Sequence, residues 1–98
     1  MAELLSHEEI EEELKTLDPS WSGSMVGLKR VIQFSTFPEA VHFVNLLAPE
    51  CEAVNHHPDI FIRWRTVTLA LSTHSAKGVT SADIDLARVI DYLAASQA

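Results

Sequence analysis

A carboxylate and three imidazoles lie close together in the middle of this 98-residue chain. Glu52 stands four residues before His56-His57-Pro58, and His74 closes the run Leu71-Ser72-Thr73-His74. Imidazole is the side chain that ordinarily titrates nearest neutral pH, so such a set can both deliver and remove protons there. Neighbouring strand residues point to opposite faces. His56 and His57 can therefore share a pocket only where the chain bends, and Pro58-Asp59 supplies the bend. His74 falls just past the longest strand signal, at its mouth. Zinc ligation is the other chemistry open to two or three imidazoles and a carboxylate. Adjacent histidines diverge, however, and neither His-Glu-x-x-His nor Cys-x-x-Cys occurs, so metal ranks below proton transfer. His7 and His42 sit singly on helical, solvated positions and read as ordinary surface side chains. Neither a Gly-x-Ser-x-Gly elbow nor a phosphate-cradling glycine loop is present.

The elements that must position these groups are legible from periodicity and caps. Ser6-x-x-Glu9 is a capping box that opens a helix carrying Ile10, Leu14 and Leu17, ended by Asp18-Pro19. Trp21 to Ser24 predicts a short strand or turn. Residues 25–35 predict a strand pair, or one strand broken at Gly27, with Leu28, Arg30, Ile32 and Phe34 on one face. Thr36-x-x-Glu39 opens a second, deeply buried helix with Pro38 in its first turn, and Pro49 is expected to follow its end. Glu52 to Asn55 predicts a short strand leading into the histidine pair. Residues 61–71 give the longest strand signal, in which Val67, Leu69 and Leu71 alternate with Thr66, Thr68 and Ala70. Gly78 sits in a turn, and Thr80-x-x-Asp83 starts the last helix. Ile84, Ala87 and Ile90 should face inward there, with Asp83, Asp85, Arg88 and Asp91 on a wet face. Three amphipathic helices and about four strands close in sequence favour an α+β two-layer sandwich: an antiparallel four-stranded sheet with three helices on one face.

The composition sets outer bounds. Ninety-eight residues predict one domain over 1–98, with 47% hydrophobic residues to form a core. Fourteen acids against seven bases give a formal charge of −7, which repels phosphate backbones and anionic lipid. Nucleic acid and membranes are accordingly not expected as direct partners. A single cysteine, Cys51, allows no internal disulfide and fits a reducing, cytoplasmic setting. A small core and a sheet face left partly bare both predict a homodimer or homotetramer.

Taken in order, Glu52-x-x-x-His56-His57-Pro58, Trp64, Leu71-Ser72-Thr73-His74 and Gly78-Val79-Thr80-x-x-Asp83 resemble the signature of pterin-4a-carbinolamine dehydratases. Trp21 takes the place of an early family tryptophan. The resemblance implies dehydration of a 4a-hydroxytetrahydropterin to the quinonoid dihydropterin, with no metal or organic cofactor. It also implies a functional link to an aromatic amino-acid hydroxylase, which releases that carbinolamine. Carried over, His56, His57 and His74 become the catalytic imidazoles, with Glu52 orienting or charging one of them. Pterin contacts fall to His56, His57, Pro58, Thr73, His74, Ser75 and Ala76. The chain departs from the family at Ile60, where tryptophan is common, at Trp64, where tyrosine is common, and at Ala82, where a basic residue is frequent. The alternative is a non-catalytic interaction or assembly module on the same fold, and the three retained histidines favour the enzyme.

Overall fold

In a computed structural model describing residues 3–96, the core is organised by one long helix lying across an antiparallel sheet. The elements run α1 (His7–Leu14), β1 (Ser22–Gly23), β2 (Leu28–Gln33), α2 (Phe37–Val54), β3 (Asp59–Arg63), β4 (Thr66–Leu71), a 3-10 turn (His74–Ala76) and α3 (Ser81–Ser96). The four strands form one sheet in the order β1-β2-β4-β3, every pair antiparallel. Three helices with a four-stranded antiparallel sheet make the fold α+β, as the spacing of the elements predicts.

Both N-terminal caps form as their residue types dictate. The Ser6 hydroxyl accepts from Glu9 N–H and the Glu9 carboxylate accepts from Ser6 N–H, so two orphan donors are satisfied reciprocally. Thr36 accepts from Glu39 N–H at 3.2 Å, and Pro38 lies in the first turn, where no backbone donor is needed. Ala40, Phe43, Leu47 and Cys51 recur at helical spacing and bury the inner face of α2. They meet Leu28 of β2, Val67, Leu69 and Leu71 of β4, and Ile84, Leu86, Ala87 and Ile90 of α3 in one cluster. Phe43 is fully buried with its ring 5.3 Å from that of Phe34. Truncating a phenylalanine in such a place costs roughly 3–5 kcal/mol, a large share of a small domain's stability.

Five local expectations are corrected. Pro49 does not follow α2 but lies inside it, and the segment expected as a strand over Glu52–Asn55 is the end of that helix. A proline there removes one hydrogen bond, but Pro49 is exposed, so the freed carbonyl can meet water while the buried face continues to Cys51. The single strand expected over 61–71 is a hairpin, turned at Trp64, whose φ of 55° reverses the chain between Arg63 and Thr66. α1 ends at Leu14, and Thr16 and Leu17 follow as turn residues bonded to Glu13 and Leu14. Asp83 and Asp91, expected on the wet face of α3, are instead buried and half-buried.

Asp91 explains why an arginine sits on the inner face of β2. Its Oδ1 accepts from Arg30 Nη1 at 2.5 Å and from Trp21 Nε1 at 2.6 Å, while Oδ2 accepts from Asp18 N–H. Arg30 Nη2 also lies 3.5 Å from Asp18. A nearly buried guanidinium is tolerable because these carboxylates meet its charge and its two terminal nitrogens, while Nε is buried without a partner.

Candidate active site

The end of α2 sets the first half of the site. Asn55 takes φ 50°, ψ 46°, a left-handed conformation that asparagine tolerates better than most residues. Its N–H bonds Glu52 O, and the next N–H, of His56, reaches back to Cys51 O at 3.1 Å. This paired closure of the last turn fixes the backbone that carries both histidines. Because the chain leaves a helix, the two imidazoles diverge to different carboxylates. His57 Nε2 lies 2.5 Å from Glu52 Oε2 on the preceding turn, in a pair that is half or more exposed on both sides. His56 Nε2 lies 2.6 Å from Asp83 Oδ1, where the carboxylate is fully buried and the imidazole 16% exposed.

The start of α3 sets the second half. Thr80 N–H and the Thr73 hydroxyl both donate to Asp83 Oδ2, at 2.9 and 2.8 Å. The Thr73 and Thr80 hydroxyls are 2.8 Å apart. Thr73 N–H bonds Gly78 O, and Thr73 O accepts from Ala76 and Gly78, so its backbone is engaged as well. His74 opens the 3-10 turn directly after Thr73 and is exposed, with Ser75 exposed and Ala76 half-buried beside it. Gly78 is needed for close approach, since a Cβ there would come 2.5 Å from Met25 O, the atom that accepts from Val79 N–H. Pro58 is buried at the entry to β3.

The structure thus joins Glu52 to His57, and His56 to Thr73 through Asp83, with His74 one residue further along the chain. His56 borders a cavity of about 160 Å3 lined also by Val54, Ala82, Asp85, Leu86 and Val89. Neither His57 nor His74 lines it, and it is smaller than most ligand pockets. Burial, then the Glu52 and Glu50 carboxylates, pushes the Cys51 thiol up, so it stays protonated and poorly nucleophilic. Among the described residues, no three His, Cys, Asp or Glu side chains are grouped so as to hold a metal ion.

Asp83 is the residue beside the histidines that sequence reasoning misplaced. The signal was present in Thr80-x-x-Asp83. An acid at the third helical position reaches back to the N–H at the helix start, so its side chain turns toward the cap and away from the solvent stripe.

Comparison with known proteins points one way. The sequence model described as pterin 4 alpha carbinolamine dehydratase matches residues 3–93. A protein of Nocardia farcinica with the provisional name pterin-4-alpha-carbinolamine dehydratase is 53% identical over 92 residues, covering 94% of this chain and 96% of that protein. One from Roseiflexus castenholzii, with the same provisional name, is 50% identical over 93 residues, 95% of this chain and 99% of its own. The crystal structure of a transcriptional coactivator/pterin dehydratase from Brucella melitensis superposes with a TM-score of 0.87 at 34% identity, over 92% of this chain and 97% of that one. A pterin dehydratase-like protein described as a RuBisCO assembly factor in the alpha-carboxysome shares the fold, with a TM-score of 0.63 at 23% identity over 76% of this chain and 86% of that one.

Proposed function

The chain belongs to the pterin 4 alpha carbinolamine dehydratase family, and on that premise we propose that it is a hydro-lyase that dehydrates 4a-hydroxytetrahydropterin by histidine acid–base catalysis. In this reaction the C4a–O bond breaks, the oxygen takes a proton and departs as water, and the N5 proton is lost to leave the quinonoid dihydropterin. Hydroxide is a poor leaving group, so a proton donor at the 4a-oxygen and an acceptor at N5 each accelerate the step, by roughly 10²–10⁴-fold when well placed. One observation carries the reading: the end of α2 presents two imidazoles, each held by its own carboxylate, His57 by Glu52 and His56 by Asp83. A carboxylate behind an imidazole fixes the ring's orientation and which nitrogen faces outward, which suits a group that must give and take protons. His74 at the 3-10 turn supplies the third imidazole, and Pro58, Ser75 and Ala76 belong to the pterin contacts in this reading.

The same proposal places a single domain over 1–98 in the cytoplasm, acting as a homo-oligomer without metal or organic cofactor, and recycling the pterin of an aromatic amino-acid hydroxylase. A lone cysteine and the absence, among the described residues, of a helix long and apolar enough to cross a membrane fit that setting. The test is direct. Addition of purified protein to freshly generated 4a-hydroxytetrahydropterin should speed the absorbance change of dehydration well above the spontaneous rate. A rate equal to the blank would remove the enzyme reading. It would favour the second reading, an interaction module, which rests on the coactivator part of the Brucella relative's name.

A further inference from the structure

Asp83 is buried, and the donors that surround it are individually identifiable. A carboxylate only accepts, a backbone N–H only donates, and a threonine hydroxyl has one hydrogen to give. Thr80 N–H donates to Asp83 Oδ2. The one hydrogen of the Thr73 hydroxyl also goes to Oδ2. Thr73 Oγ1 must then accept in its 2.8 Å bond with Thr80 Oγ1, so the Thr80 hydroxyl is the donor there. Thr80 Oγ1 in turn accepts from Ala82 N–H at 3.3 Å. Every hydrogen along this line is therefore directed, from the first turn of α3 through two threonines into one oxygen of Asp83. The other oxygen, Oδ1, faces His56 Nε2 at 2.6 Å. The opposite arrangement would put a hydrogen on Oδ1 and make Nε2 the acceptor. It would require a protonated carboxyl, whereas two donors converging on Oδ2 is the arrangement of an acceptor-only carboxylate.

The geometry points to Thr73, Thr80 and Asp83 as positioning residues that hold His56 in its Nε2–H form, so that Nδ1 is the ring atom that exchanges protons with substrate. Among the described residues Nδ1 has no hydrogen-bond partner, and it is not sealed from solvent. Whether the ring is neutral or cationic, Nε2 keeps its hydrogen and only Nδ1 gains or loses one. Thr73 acts through Asp83, and its hydroxyl is not available to the pterin. The catalytic part of this inference rests on the dehydratase reading above, whereas the tautomer belongs to the free protein.

The experiment is long-range 1H–15N NMR of the free 98-residue chain, at a pH where His56 is neutral. The parent should show Nε2 protonated and Nδ1 bare. In Asp83→Asn, the two donors at Oδ2 require the amide oxygen on their side, so the amide nitrogen faces His56. Nε2 must then accept, and the hydrogen moves to Nδ1. That variant should keep its circular dichroism, invert the tautomer and lose on the order of 10²-fold or more in kcat, as wrong-tautomer histidines do. Thr73→Val should lower kcat roughly fivefold, the rate equivalent of one hydrogen bond, with KM unchanged and Thr73→Ser restoring the rate. A parent histidine protonated at Nδ1, an unchanged tautomer in a folded Asp83→Asn, or a Thr73→Val effect confined to KM would each overturn the inference. If Asp83→Asn does not fold, the parent tautomer and the Thr73 pair still decide it. An inactive parent with the stated tautomer would refute the dehydratase reading alone; an active parent with the reverse tautomer would refute this inference alone.

Discussion

At the scale of single residues, the five histidines divide by what their imidazoles touch. His56 and His57 each face a carboxylate at the end of α2, whereas His7 pairs with Glu11 on the open face of α1 and His42 is exposed on α2. His57→Ala and His74→Ala should each lower the catalysed rate by roughly 10²–10⁴-fold, the range expected for a lost proton-transfer group, with unfolding curves close to the parent. His7→Ala should leave both rate and stability within error. Steady-state rates with the spontaneous dehydration subtracted check this, and a His74→Ala rate equal to the parent would take His74 out of the mechanism. The same assignment predicts that exhaustive chelation leaves the rate unchanged. Stoichiometric zinc in purified protein, with activity lost on its removal, would return the imidazoles to a ligand role.

Among the elements, the end of α2 carries His56 and His57 of the candidate site. Asn55 supplies the left-handed residue that closes the helix and sends the backbone to His56. A β-branched side chain in that conformation costs about 1–2 kcal/mol, whereas glycine adopts it freely. Asn55→Val should therefore destabilise the protein by that amount in chemical denaturation and lower the rate, and Asn55→Gly should leave both nearly unchanged. Equal stabilities for the two variants would show that the turn does not depend on its backbone conformation. The sequence carried much of this architecture. Ser6-x-x-Glu9 and Thr36-x-x-Glu39 mark helix starts because their side chains do a local job, and Leu28, Arg30 and Ile32 alternate because β2 buries one face. Local rules failed where burial at a distance decided. Pro49 and Pro58 bracket a segment that reads as extended, yet the inward face of α2 carries the helix through Pro49 to Val54. The charge pattern of α3 reads as solvated, yet Asp83 and Asp91 meet partners contributed by His56, Arg30 and Trp21, 27 to 70 residues away. A single sequence lists those partners without saying that they converge.

For the whole molecule, acid and association bring different parts into play. Ser20, through its hydroxyl and then its N–H, together with the Arg30 guanidinium, holds the Asp18 carboxyl below its ordinary 3.8. The unfolded chain then binds more protons than the folded one between those two values. Stability from this turn is present above the ordinary value and is lost as pH falls through the lowered one. Ser20→Ala should cost up to about 1 kcal/mol at neutral pH, an exposed charge-assisted bond, and the deficit should vanish in strong acid. Urea curves at both pH values check the sign. Self-association is expected to run through β3, an edge strand in which Ile60, Phe61 and Ile62 are 39%, 75% and 37% exposed. A long apolar edge invites another strand. Asp59-Ile60-Phe61-Ile62-Arg63 is self-complementary when paired antiparallel about a two-fold axis through Phe61. Asp59 of each copy then faces Arg63 of the other on one side of the joined sheet, and Ile60 faces Ile62 on the opposite side. Each cross-strand pair contributes roughly 0.2–1 kcal/mol and occurs twice by symmetry. Light scattering at micromolar concentration should give at least twice the 10.9 kDa of one chain. Arg63→Asp sets like charges opposite one another and should shift the protein toward monomer, while adding Asp59→Arg restores the pairing with its charges exchanged. A parent that stays at 10.9 kDa would deny self-association outright. An Arg63→Asp variant that associates as well as the parent would keep the oligomer but move its interface away from β3.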